Sequence, residues 1–110
     1  DPALPATLSH NIITGILRDR LGYDGVIISD DMQMGAISNY YAFDEAVQVA
    51  VLAGVDVIAL ANNIRFAQNV GERAHNAIRR MVEEGKIDES RIDASYRRVM
   101  ALKERIARAA

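Results

Sequence analysis

The chain has no cysteine among its 110 residues. A disulfide framework and a thiolate metal site are therefore both excluded. It has only two histidines, His10 and His75, far apart and without an H-E-x-x-H spacing, so no metal centre is expected. It has little excess charge of either sign. Thirteen Lys and Arg stand against fifteen Asp and Glu, a net charge of −2. The basic residues are mixed with acidic ones, which leaves no nucleic-acid footprint. No apolar run comes near the roughly 18 residues of a membrane span, and no signal-peptide pattern opens the chain. The first five residues, DPALP, read as a loop and not as a natural start. The native N-terminus is expected to be missing, and localisation is left open.

What is present is the composition of a globular domain. Half the residues are hydrophobic and a quarter are charged, and the length suits one domain. Ser9 can cap a helix that runs to about Arg20, with Ile12, Ile13, Ile16 and Leu17 on one stripe and Gly22 as its stop. The β-branched run after Asp24-Gly25 predicts a strand over about 25–30. A loop from Asp30 to about Ala42 follows, with Gly35 inside it. A helix over 43–53 carries Asp44 and Glu45 in its first turn, where their charge suits the helix dipole. Gly54 ends it.

The run 55–61, VDVIALA, is nearly continuously apolar, the habit of a strand covered on both faces. A longer helix is predicted from about Ile64 or Arg65 to Glu84, with Gly85 as its stop. Asp88 or Ser90 then caps a last amphipathic helix carrying Ile92, Tyr96, Val99, Leu102 and Ile106.

The predicted order, α-β-loop-α-β-α-α, places a right-handed βαβ unit with parallel strands at the centre. Two strands are too few for a parallel sheet, which needs cover on both faces and leaves open edges when it stops short. The fold class read from this pattern is α/β: the last two strands, with their helices, of a TIM-type (β/α)8 barrel. A whole barrel takes about 250 residues, so residues 1–110 form a single segment, roughly its C-terminal third.

The segment 24–34, DGVIISDDMQM, carries the chemistry. Its strand delivers two adjacent carboxylates, Asp30 and Asp31, to the C-terminal end, where parallel α/β folds place their sites. Alternation puts Val26, Ile28 and Asp30 on one face, and Ile27 and Ser29 on the other. If the first set faces a barrel interior, Asp30 stands at its mouth. There an ionised carboxylate can act as nucleophile or base. The alternative from spacing alone is a strand-end Asp that caps a turn. Asp31 points the other way and is expected to bond the loop backbone or orient its neighbour. Met32 and Met34 either line a pocket or fill core. Asn62 and Asn63 end the second strand on the same side as Asp30, where they either touch a ligand or form a turn. His10 and His75 fall on helices, as surface or packing residues.

At these residues the sequence resembles glycoside hydrolase family 3, over nearly its whole length. PATLS at 5–9 with ITGILR at 13–18 is similar to the segment after the sixth barrel strand. LGYDGVIISDDMQM at 21–34 resembles the seventh strand with its Ser-Asp nucleophile motif. AGVD at 53–56 resembles the entry to the eighth. GKID at 85–88, RIDAS at 91–95 and Arg98 resemble the terminal helices. The resemblance implies retaining hydrolysis with Asp30 as the nucleophile; Asp31 and Met34 are its supporting candidates, and Asn62, from its place at the end of the second strand, is the candidate on a ligand-side loop. The doublet Asp30-Asp31 with Met34 resembles the β-N-acetylhexosaminidase branch, whose substrates carry terminal β-linked N-acetylhexosamine. No cofactor is implied, and the partner is a carbohydrate. In that branch the acid/base is a His on a loop earlier in the barrel. That loop and the sugar-holding residues lie outside this chain, so the segment alone is expected to be inert and to self-associate through its uncovered surfaces. Two readings from other classes compete. A phospho-acceptor receiver domain has a similar strand but needs an acidic pair and two βα units ahead of it. A non-catalytic α/β interaction module needs only the fold.

Overall fold

The computed structural model describes residues 3–61 and 68–109. A 3-10 turn, Ala6–Leu8, leads into a wide π-type helix, Asn11–Arg20. Strand β1 (Ile28–Asp31) follows, then a single turn α1 (Gly35–Ser38), helix α2 (Phe43–Ala53), strand β2 (Val57–Ala59), helix α3 (Val70–Glu83) and helix α4 (Glu89–Ala109). The strands are adjacent and parallel. The α/β class and the parallel pair agree with the sequence pattern.

Both strands are shorter than the pattern suggests, because side chains take over the ladder at each end. The Ile27 carbonyl accepts from both Asp56 and Val57 N–H groups, while the Ile27 N–H donates to the Asp56 carboxylate at 3.0 Å. At the other end the Ala61 N–H donates to the Asp31 carboxylate at 3.2 Å.

Ser9 caps the first helix: the Ile12 N–H donates to Ser9 Oγ at 3.3 Å, and the Ile13 N–H to Ser9 O at 2.9 Å. The helix is wider than the α-helix its stripe predicts, with the Leu21 N–H bonded five residues back to Ile16 O. Four of its first six residues, Ile12, Ile13, Thr14 and Ile16, are β-branched, and such residues crowd an α-helical turn.

One other element differs from expectation: the 30–42 loop contains the turn α1, formed as the Ile37 and Ser38 N–H groups bond Met34 O and Ile37 enters the core. Helix α3 begins at Val70, after Asn69, which is left-handed with φ of 57°; the expected start at 64–65 lies outside the described residues.

The core lies on one face of the sheet. Leu8, Ile13, Ile27, Met32, Ile37 and Val55 pack there with Ala46, Ala50 and Ala53. The three alanines sit along α2 and let that helix approach the strands closely. Gly54, which ends α2, has φ of 116°, and a Cβ there would lie 2.7 Å from Thr14 Oγ1. That hydroxyl donates to Ala53 O at 2.7 Å, so the tight approach fastens the first helix to the end of α2. A second cluster joins α2 to α3 through Val47, Ala74 and Ala77, with ion pairs from Asp44 to Arg80 and Arg73 at its rim.

The other face of the sheet is bare at β1: Ile28 is 61% exposed and Asp30 is exposed beside it. Helix α4 meets the body through its first half only. From Met100 to Ala109 every residue is exposed.

Candidate active site

Strand β1 carries one more residue than its partner. Ile28 stands opposite Val57 and Asp31 opposite Ala59, three steps against two, so a bulge lies between them. Bulges leave one residue unpaired and re-aim its side chain. The alternation of faces is kept across this one: Ile28 and Asp30 are exposed, and Ser29 between them is buried.

Side chains add to the ladder around the bulge. The Asp30 N–H donates to Thr7 Oγ1 at 3.2 Å, and the Asp30 carbonyl accepts from Ser29 Oγ at 2.7 Å. Ser29 Oγ itself accepts the Ala59 N–H at 2.8 Å. The Asp30 carboxylate accepts the Asp31 N–H at 2.8 Å. Asp31 turns back toward the backbone: its Oδ1 accepts from Gln33 N–H at 3.1 Å and Ala61 N–H at 3.2 Å, tying the ends of β1 and β2 together. Asp30 thus presents an anionic oxygen to solvent at the C-terminal end of two parallel strands, on a backbone held from both sides. Such a group can attack an electrophilic carbon or take a proton.

The remaining candidates fall in different places. Met32 is buried in the core, whereas Met34 is partly exposed and supplies the carbonyl that starts α1. Asn62 and Asn63 lie outside the described residues. His10 and His75 are both exposed. Among the described residues no three His, Cys, Asp or Glu side chains converge as a metal site. A groove of about 820 Å³ lies between α3 and α4, walled by Ile58, His75, Ile78, Ile92 and Tyr96; Asp30 is not part of it.

A second polar assembly sits at the opposite, N-terminal end of the strands. The Asp56 side chain is fully buried, with 0% of its surface exposed. Its Oδ2 accepts from Arg18 Nη2 at 2.7 Å and from the Ile27 N–H at 3.0 Å. Its Oδ1 accepts from Ser95 Oγ at 2.6 Å and Arg98 Nη1 at 3.0 Å. Arg91 reaches Ser95 Oγ and the carbonyls of Val51 and Val55. Burial pushes the Asp56 carboxyl up, but hydrogen bonds from Ser95, Ile27 and Arg98, with the Arg98 charge, outweigh it and hold the group below its ordinary range. Burial lowers the Arg91 pKa against the opposing pull of Asp56. In parallel barrels this end of the strands serves stability, and the other end chemistry. Thr7, Ser29 and Asp56 lie in the segments PATLS, ISDD and AGVD that carry the family resemblance, but spacing alone assigns none of them a role. The available signals were a Ser on the buried side of an apolar strand and an Asp at the entry to another, since a buried charge must find partners.

Comparison with known proteins shows the family. Residues 1–102 match the family model described as Glycosyl hydrolase family 3 N terminal domain. The β-hexosaminidase A of Pseudoalteromonas piscicida is 32% identical over 93% of this chain and 17% of its own length. A β-N-acetylglucosaminidase/β-glucosidase of Cellulomonas fimi is 27% identical over 91% of the chain and 16% of its own length. The solved family 3 β-N-acetylglucosaminidase of Paenibacillus sp. str. FPU-7 superposes with a TM-score of 0.87 at 45% identity, covering 98% of this chain and 20% of that one. The chain therefore spans about a fifth or less of these three proteins. With the match running across nearly all of its length, the chain belongs to glycosyl hydrolase family 3.

Proposed function

We propose that this chain is the nucleophile-bearing segment of a retaining glycoside hydrolase that removes terminal β-linked N-acetylhexosamine. The observation that carries the reading is Asp30, exposed on the bare face of β1 at the C-terminal end of the parallel pair. The chain is the last third of a (β/α)8 barrel, and the bare face of β1 is the side that the rest of the barrel encloses. The relatives named as β-hexosaminidase and β-N-acetylglucosaminidase support the choice of sugar. Family membership also displaces the receiver reading, whose two preceding βα units have no counterpart here.

In the reaction, an Asp30 carboxylate oxygen attacks the anomeric carbon. The bond from that carbon to the leaving oxygen breaks, and the oxygen takes a proton from an acid upstream of this chain. Water then attacks the same carbon, losing a proton to that group's conjugate base and freeing Asp30. Two displacements leave the configuration unchanged. Asp31 holds the loop that carries Asp30 and is spared the chemistry.

The test is Asp30→Asn in the full-length parent. Hydrolysis of an aryl N-acetylglucosaminide should fall by at least about 10³-fold, the scale of losing a covalent nucleophile. Asp31→Asn should cost less, because an amide oxygen still accepts a backbone N–H. Unchanged turnover by Asp30→Asn rejects the assignment.

A further inference from the structure

β1 breaks step with β2 between Ile28 and Asp31, at Ser29-Asp30, yet the Asp30 peptide is not left loose. A bulged residue has no partner across the ladder, and a buried or half-buried peptide group without a partner is costly. Two hydroxyls fill the gap. Thr7, from the turn that precedes the first helix, accepts the Asp30 N–H. Ser29 donates to the Asp30 carbonyl and accepts the Ala59 N–H, so one hydroxyl links the two strands beside Asp30. A hydroxyl is the one neutral group of this size that can give and take at once. Ser29 is nearly buried, on the helix-covered side of the strand, and so is fixed from behind. The third contact, from the Asp31 N–H to the Asp30 carboxylate, then sets the carboxylate relative to a peptide that is already held.

We propose that Thr7 and Ser29 are positioning residues for Asp30: their hydroxyls hold the bulged peptide so that the carboxylate faces the reacting carbon. The proposal rests on Asp30 being the nucleophile. Neither hydroxyl touches the reacting atoms; each acts through the Asp30 backbone. Misplacing a reacting group by about 1 Å costs on the order of 100-fold in rate, so loss of either anchor should be visible in the attack step.

The experiment uses the full-length parent with Thr7→Val, Ser29→Ala and Ser29→Cys, and the hydroxyl-retaining Thr7→Ser and Ser29→Thr. Enzyme is held in excess over an activated aryl N-acetylglucosaminide, and phenol release is followed in a single turnover. The plateau rate constant reports attack by Asp30 and does not depend on what fraction of the enzyme is folded. The enzyme concentration at half-plateau reports binding and the folded fraction. The expected result is a plateau lowered about 10- to 100-fold in the hydroxyl-free variants, with the half-plateau concentration little changed. Most of the loss should return in Thr7→Ser and Ser29→Thr. An unchanged plateau with a raised half-plateau concentration means a merely structural role and overturns the proposal. So does a loss that the hydroxyl-retaining variants do not restore. If Ser29→Ala does not fold, Ser29→Cys, near in shape but a weak acceptor, and the Thr7 pair decide. Asp30→Asn runs alongside: if it keeps the wild-type plateau, the nucleophile assignment has failed, and not the positioning.

Discussion

At the scale of single residues, Asp56 carries the largest stability consequence. One buried carboxylate gathers Arg18, Arg98, Ser95 and the Ile27 N–H, from the first helix, α4 and the entry to β1. Removing one partner from a buried charged set leaves the others uncompensated, at about 3–5 kcal/mol. Asp56→Ala should therefore lower unfolding free energy by about that amount in urea titration; a loss under about 1 kcal/mol would contradict this account. The sign with pH follows from the depressed pKa. The folded state binds the proton more weakly than the unfolded state does, so the contribution is complete above the ordinary carboxylate range, near pH 4, and is lost as pH falls through the folded value. Wild type should lose stability more steeply below pH 4 than Asp56→Asn, measured by denaturation midpoints. The place of Asp30 on the exposed end of β1 was legible from strand alternation; its role as nucleophile is what the family resemblance implies. Its anchors were not legible. Thr7 is 23 positions away, and the bulge that brings it into play depends on the register against β2.

At the scale of elements, the glycine stops, the helix 43–53 and both strands were legible from local chemistry. Gly22, Gly54 and Gly85 all have positive φ, as helix-ending glycines do. The strand ends were not legible, because they are set by Asp56 and Asp31 side chains reaching across from other segments. Likewise a stripe of isoleucines announces a helix but not its width. The first helix docks closely on the end of α2 at Gly54. Gly54→Ala would place a Cβ against Thr14 Oγ1 and Ile13 Cγ2 in a left-handed backbone. It should destabilise the fold by more than the roughly 1 kcal/mol at stake for a glycine in an unstrained position. Thermal unfolding checks this, and an unchanged midpoint would show that the joint yields.

At the scale of the whole molecule, the chain is less compact than its length allows. Its radius of gyration is 14.3 Å, where a compact domain of 110 residues has about 13 Å. The excess has a visible source in the exposed second half of α4, where Ile106 is 60% exposed, and in the two-strand sheet with a bare face at Ile28. Such surfaces favour self-association. The isolated chain should therefore show concentration-dependent association in light scattering and no turnover of an aryl glycoside, since one carboxylate cannot both attack and protonate. A stable monomer would contradict the first expectation, and turnover the second. The larger architecture is inferred from what the segment leaves unfilled: two parallel strands cannot bury both faces.

The central claim is that Asp30 forms a covalent bond to the sugar, and this can be observed directly. The full-length parent is mixed with a substrate that has a fast leaving group, quenched in acid during turnover, digested and mapped by mass spectrometry. The account predicts an N-acetylhexosaminyl ester on Asp30, absent when the same experiment is done with Asp30→Asn. An ester on any other residue, or wild-type turnover by Asp30→Asn, would contradict it.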